Sequence, residues 1–147
     1  MAAINQAGRK LIENFEGLRL HAYEDSGGVW TIGYGHTGPD VHPGLSIMQA
    51  RAEELLENDL KAAENGVSEA LHVTVNPNQF AAMVSLAYNI GLGAFRGSSV
   101  LRLVNQKNWL DAAAAFLKWD DAGYPEQAGL DRRRKAECEL FLQDLPK

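Results

Sequence analysis

Apolar residues recur at three- and four-residue steps near the start of the chain, where Ala7, Leu11, Ile12 and Phe15 form one stripe. That spacing predicts an amphipathic helix over residues 5–16, ended by Gly17. From Leu18 to His36 the period changes. Residues with β preference flank the turn-forming run Asp25-Ser26-Gly27-Gly28, so a small hairpin is expected, followed by a Gly-rich strand Trp30-Thr31-Ile32-Gly33-Tyr34-Gly35. Residues 37–45, with Gly38-Pro39 and Pro43-Gly44, read as loop. Ser46 followed by Gln49 is a capping-box pattern that opens a long helix over about 46–66. Asn76-Pro77-Asn78-Gln79 repeats that logic ahead of a segment, 80–90, that is apolar nearly all round and belongs in a core. Gly91 and Gly93 are expected to end it. Ser98 can cap a helix through Val104, and further helices are expected over 109–117 and 130–142. The class is therefore α+β and mainly helical, in one domain over 1–147. A small β-hairpin lobe (about 17–50) is joined by the long helix to a larger helical lobe, about 70–147 with the first helix.

Composition narrows the functions. Fourteen Lys+Arg against nineteen Asp+Glu give a net charge of −5, with 46% hydrophobic residues. Disorder is excluded, and general nucleic-acid binding is disfavoured because that affinity comes from neutralising phosphates. Cys138 is the single cysteine, so no internal disulfide can form. It reads as a buried helix residue rather than a nucleophile, having no adjacent base. No apolar run approaches the roughly 18 residues of a membrane span, and Met1-Ala2-Ala3-Ile4 turns polar at Asn5. A soluble chain made in the cytoplasm, without membrane insertion, is expected. His21, His42 and His72 share no ligand spacing with one another, so neither a metal nor another cofactor is expected.

Glu16, Asp25 and Thr31 bring two carboxylates and a hydroxyl to the place where a helix ends and a hairpin begins. Glu16 sits on the flank of the apolar stripe at the negative end of the first helix, a setting that disfavours the charged form and suits a general acid. Asp25, beside a Ser-Gly-Gly turn, has better access to water. Two carboxyl groups in such different surroundings match the division of labour in glycoside hydrolysis. A strict two-residue Gly27-Gly28 turn would point Asp25 and Thr31 to opposite faces. A shared site therefore requires an odd-length loop or a bulge between Asp25 and Val29, with Gly supplying a positive φ.

The run Glu16-Gly17-Leu18-Arg19-Leu20, then Ala22-Tyr23-Glu24-Asp25, then Trp30-Thr31-Ile32-Gly33-Tyr34-Gly35-His36 closely resembles the signature of the bacteriophage-type lysozymes, the muramidase endolysins. Asn58-Asp59, Leu86-Ala87-Tyr88-Asn89-Ile90-Gly91, Phe95, Trp109 with Ala112-Ala113, and Gly129-Leu130 with Arg133-Arg134 and Glu137 continue the likeness in the family's order. The resemblance implies a lysozyme-like cleft enzyme in which Glu16 is the proton donor, Asp25 the second carboxylate and Thr31 a holder of the attacking water, with inversion at the sugar carbon. It further implies that Arg133 reaches back to Glu16, opposing the effect of burial, and that His36 pairs with Asp59. Alternation along 30–36 puts His36 on the face away from Thr31. Arg132, Arg134 and Lys135 read as a solvated helix face. Gly33 and Gly35 either relieve strand crowding or let a sugar chain approach the backbone, and Asn89 is a cleft candidate, as is Tyr88 unless it serves the core. The implied substrate is bacterial peptidoglycan, cut between N-acetylmuramic acid and N-acetylglucosamine by a monomer that waits in the host cytoplasm for a holin before reaching the wall in the periplasm. A lytic transglycosylase on the same bond is the alternative, and a silent wall-binding module the alternative outside enzymes.

Overall fold

The computed structural model describes residues 3–119 and 127–144. Its elements run α1 (Gln6–Glu16), β1 (Arg19–Glu24), β2 (Trp30–Gly33), β3 (His36–Thr37), α2 (Gln49–Ala70), α3 (Pro77–Ile90), α4 (Leu92–Arg96), α5 (Ser99–Asn105), α6 (Trp109–Phe116) with a 3₁₀ turn at Leu117–Trp119, and α7 (Gln127–Leu142). The three strands form one antiparallel sheet in sequence order. This is the mainly helical α+β architecture expected. The chain forms two compact units, one of residues 13–62 and one of 1–12 with 63–147, and the boundaries fall inside α1 and α2.

In the hairpin unit, Ile32, Val41 and Leu55 are buried, with Ala22, Trp30, Leu45 and Ile47 packed around them. In the helical unit the centre is α3, whose residues from Gln79 to Ala87 are all buried, as an element apolar on every side must be. It packs against α7, and α6 packs against α5 and α7, with the Phe116 and Phe141 rings 5.4 Å apart. The capping box is as expected: Asn76 Oδ1 accepts from the Gln79 N–H at 2.7 Å, and Gln79 Oε1 accepts from the Asn76 N–H at 2.9 Å.

Four local expectations are corrected. Ser46 does not cap α2; it bridges to His21 as a short antiparallel contact, and its Oγ lies 2.7 Å from His21 Nδ1. That helix runs past the expected 66 to Ala70, and Gly66 within it leaves room for the Leu92 side chain. Gly91, at φ 93, ends α3, but Gly93 lies inside the short α4 that follows at once. On α1 the buried residues are Gly8 and Ile12, while Phe15 remains 36% exposed. Gly8 lets α1 lie against α3, since a Cβ there would come within 2.5 Å of Ala81 Cβ.

Candidate active site

The hairpin loop is the decisive local feature. Glu24 pairs with Trp30 and Tyr23 with Thr31, and the Asp25 N–H donates to the Val29 carbonyl at 2.9 Å. Three residues, Ser26, Gly27 and Gly28, therefore form the loop, with the Gly28 N–H donating to the Asp25 carbonyl at 3.0 Å and Gly28 at φ +80. This is the odd-length loop the shared site requires. In this register Asp25, Val29, Tyr23 and Thr31 lie on one face of the hairpin, because directly opposed residues point the same way.

The loop also orients the two candidate side chains. Asp25 Oδ1 accepts from the Gly27 N–H at 2.8 Å and the Val29 N–H at 2.9 Å. Oδ2 is left without a hydrogen bond among the described residues, on a residue that is exposed. Thr31 is buried, and its Oγ1 donates to the Val29 carbonyl at 3.0 Å, which turns the oxygen lone pairs toward any incoming donor. Glu16, the last residue of α1, is half-buried, and Gly17 leaves the helix at φ +73. The structure thus brings Asp25 and Thr31 to one face, with Glu16 beside the start of β1 in sequence. Between Arg19, which pairs with Gly33, and Tyr23, which pairs with Thr31, the register shifts. There β1 turns to pair with residues 45–47 through the Ala22 N–H to the Leu45 carbonyl and the Ile47 N–H to the Leu20 carbonyl, each 2.9 Å.

The strand expected over residues 30–35 is shorter. It ends at Gly33, and Tyr34-Gly35 turns the chain into β3, where His36 pairs with Ile32 and Thr37 with Thr31. Gly33 at φ +68 and Gly35 at φ +86 supply that turn. His36 still points away from the Thr31 face, but through pairing across the sheet rather than alternation along one strand. Its Nδ1 lies 2.7 Å from Asp59 Oδ2, as the resemblance implied, and its Nε2 lies 2.9 Å from Asp40 Oδ2. Burial opposes the imidazolium, but the bonds and charges of the two carboxylates outweigh it and raise the His36 pKa above its ordinary value. The same contact holds the exposed Asp40 carboxyl below its usual range.

Arg134 overturns the expectation of a solvated helix face. It is fully buried and Arg133 nearly so, whereas Arg132 and Lys135 are exposed. Glu137, also fully buried, sits between the two guanidiniums, with Oε1 2.9 Å from Arg134 Nε and Oε2 3.3 Å from Arg133 Nε. Ser85 Oγ donates to Glu137 Oε2, while Arg133 donates to the Ser85 carbonyl and hydroxyl, each at 3.3 Å. Burial pushes the Glu137 carboxyl upward against the pull of both guanidiniums. Arg134 also donates to Asn89 Oδ1 at 2.9 Å, so the exposed Asn89 is oriented from within the core. Tyr88 is half-buried and Cys138 partly exposed, its thiol pushed up by burial and by Glu139.

Sequence reasoning did not single out three residues: Tyr23, opposite Thr31 with the Arg19 guanidinium 4.8 Å above its ring; Asp40, four residues after His36; and Ser85, from another helix. Only the His36–Asp40 spacing was visible locally.

A mainly helical chain with a small hairpin sheet, an acid at the end of the first helix and an Asp-Thr pair on one hairpin face has the lysozyme-like fold. The chain belongs to the Phage lysozyme family, which matches residues 13–137. It is 47% identical over 146 residues to the endolysin of Bacillus phage PZA, covering 98% of this chain and 57% of that protein. It thus spans little more than half the length of that relative. Against the endolysin of Salmonella phage P22 it is 44% identical, covering 97% of this chain and 99% of that one. Among solved structures, the muramidase domain of SpmX from Asticaccaulis excentricus superposes with a TM-score of 0.90 at 40% identity, covering 99% of this chain and 100% of that domain.

Proposed function

We propose that this chain is an endolysin-type muramidase that hydrolyses the bond between N-acetylmuramic acid and N-acetylglucosamine in bacterial peptidoglycan, with inversion. The observation that carries the reading is the shared face of Asp25 and Thr31. Two amides hold one oxygen of Asp25, and the Thr31 hydrogen is directed to the Val29 carbonyl. Asp25 Oδ2 and Thr31 Oγ1 are then both acceptors. A water placed between them has both its hydrogens accepted and its lone pair turned outward, toward an anomeric carbon.

In the reaction, Glu16 gives its proton to the leaving glycosidic oxygen as the C–O bond breaks. Asp25 takes one proton from the water as the new C–O bond forms on the opposite side of the sugar. Inversion needs room for that water, so the two carboxyl groups should lie about 6.5–9.5 Å apart when substrate is bound. Tyr88, Asn89 and Gly35 are proposed substrate contacts. Arg133 is proposed to support Glu16, and His36 with Asp59 to hold the turn after β2. No cofactor enters this chemistry. The enzyme acts as a monomer, waits in the host cytoplasm and reaches the wall once a holin has opened the membrane.

Glu16→Gln tests the assignment. The amide keeps the shape but delivers no proton, and general acid help is worth on the order of 10²- to 10⁴-fold in rate. Lysis of permeabilised cells should fall by that range with unchanged melting. A folded variant keeping more than about a tenth of parent activity would remove Glu16 from the acid role.

A further inference from the structure

The proposed chemistry sits in the hairpin unit, yet a chain of net charge −5 is repelled by an anionic wall. A recess built wholly within the helical unit has a different character. Leu71, His72, Val73, Thr74, Lys107 and Trp109 line an open cavity of about 560 Å³, a volume typical of ligand sites. Asn105 ties its walls together: Oδ1 accepts from the His72 N–H at 2.8 Å and Nδ2 donates to the Ala70 carbonyl at 3.1 Å.

Lys107 is the unusual member. At φ +59 it lies in the left-handed region, one residue past the Gln106 cap of α5. Its N–H donates to the Val104 carbonyl and the Asn108 N–H to the Leu103 carbonyl, both at 2.9 Å. These are the paired bonds of a Schellman helix ending, whose left-handed residue is ordinarily glycine. A lysine there accepts backbone strain, and Lys107 and Trp109 both line the recess.

We infer that this recess is a secondary wall-binding site for a carboxylate-bearing amino-sugar strand. The apolar face of a sugar would lie on Trp109, its carboxylates would meet Lys107, and its amide and hydroxyl groups would meet His72 and Thr74. The site rests on the muramidase reading and adds retention on the polymer between cuts.

The test is co-sedimentation of the Glu16→Gln chain, which binds without digesting, with purified bacterial sacculi, with and without Lys107→Gly. Glycine suits this backbone, so relief of strain and the greater freedom of the unfolded chain roughly cancel. The melting temperature should move by no more than about 2 °C. The wall concentration for half-saturation should rise about 2- to 5-fold, as loss of one partly exposed ionic contact gives. Soluble muropeptides should displace the protein better than neutral N-acetylglucosamine oligomers. Equal binding of both chains, or equal displacement by both competitors, would overturn the site. If the parent chain released no sugar from sacculi while Lys107→Gly still weakened sedimentation, the muramidase reading would fail and the recess would stand.

Discussion

Gly28→Ala should damage the hairpin loop where Gly27→Ala leaves it intact, although neither added methyl meets an obstacle. The nearest atom to a Cβ at Gly28 is Glu24 Oε2 at 3.8 Å, and at Gly27 it is Asp25 Oδ1 at 3.5 Å, both ordinary contacts. The difference lies in the backbone, because Gly28 has φ +80 and Gly27 is not among the positive-φ glycines. A left-handed Ala costs about 1–2 kcal/mol. Ala gains about 0.4–1 kcal/mol from restricting the unfolded chain at either position. Gly27→Ala should therefore be neutral or slightly stabilising, and Gly28→Ala should lose on the order of 1 kcal/mol, or about 2–4 °C in melting temperature at this size. If the loop instead relaxes to relieve the strain, Asp25 moves, and a misplacement near 1 Å can cost on the order of 10²-fold in rate. Urea unfolding and dye release from labelled walls read the two outcomes. Equal stability and equal activity for the two variants would refute the account of the loop.

Two further predictions concern buried charge. Glu137→Leu removes the buried carboxylate between two buried guanidiniums and should lower stability by about 3–5 kcal/mol in urea unfolding; a loss below about 1 kcal/mol would show that the network does not hold α3 to α7. His36 titrates above its ordinary value in the folded state, so its contribution is fully present below the unfolded value of 6.5 and is lost as pH rises through the folded one. Proton NMR should place the His36 midpoint above 6.5, and His36→Asn should flatten the decline in stability across that window; a midpoint at or below the ordinary value would contradict the clamp by Asp59 and Asp40.

Elements whose signals are local were legible in the sequence. Asn76, Pro77 and Gln79 act within four residues, so their capping box formed as written. The three-residue hairpin loop meets the parity condition set by the sequence, because Asp25 and Thr31 can share a face only across an odd loop or a bulge. Ser46 misled because the same hydroxyl serves two structures, and a partner 25 residues away, His21, claimed it. Arg134 misled because a run of cations looks solvated until its counter-charge is seen. Glu137 is three residues on, but the burial of the group depends on α3, which supplies Ser85 and Asn89. The packing role of Gly66, which leaves room for Leu92, depends on a residue 26 positions on and carries no local signal. For the candidate site, the motif supplied the proposed residues, while orientation of Asp25 by two amides and of Thr31 by the Val29 carbonyl was not visible in it.

Time-resolved proton NMR of a soluble peptidoglycan glycan during digestion tests the central claim most directly, because one spectrum separates three chemistries. A water held by Asp25 and Thr31 on the face opposite the leaving group must give the α-anomer of the muramic acid reducing end first, with the β-anomer growing in only by mutarotation. First appearance of the β-anomer would mean retention through a covalent intermediate. A 1,6-anhydro end with no reducing signal would mean transglycosylation, and either result would contradict the water site.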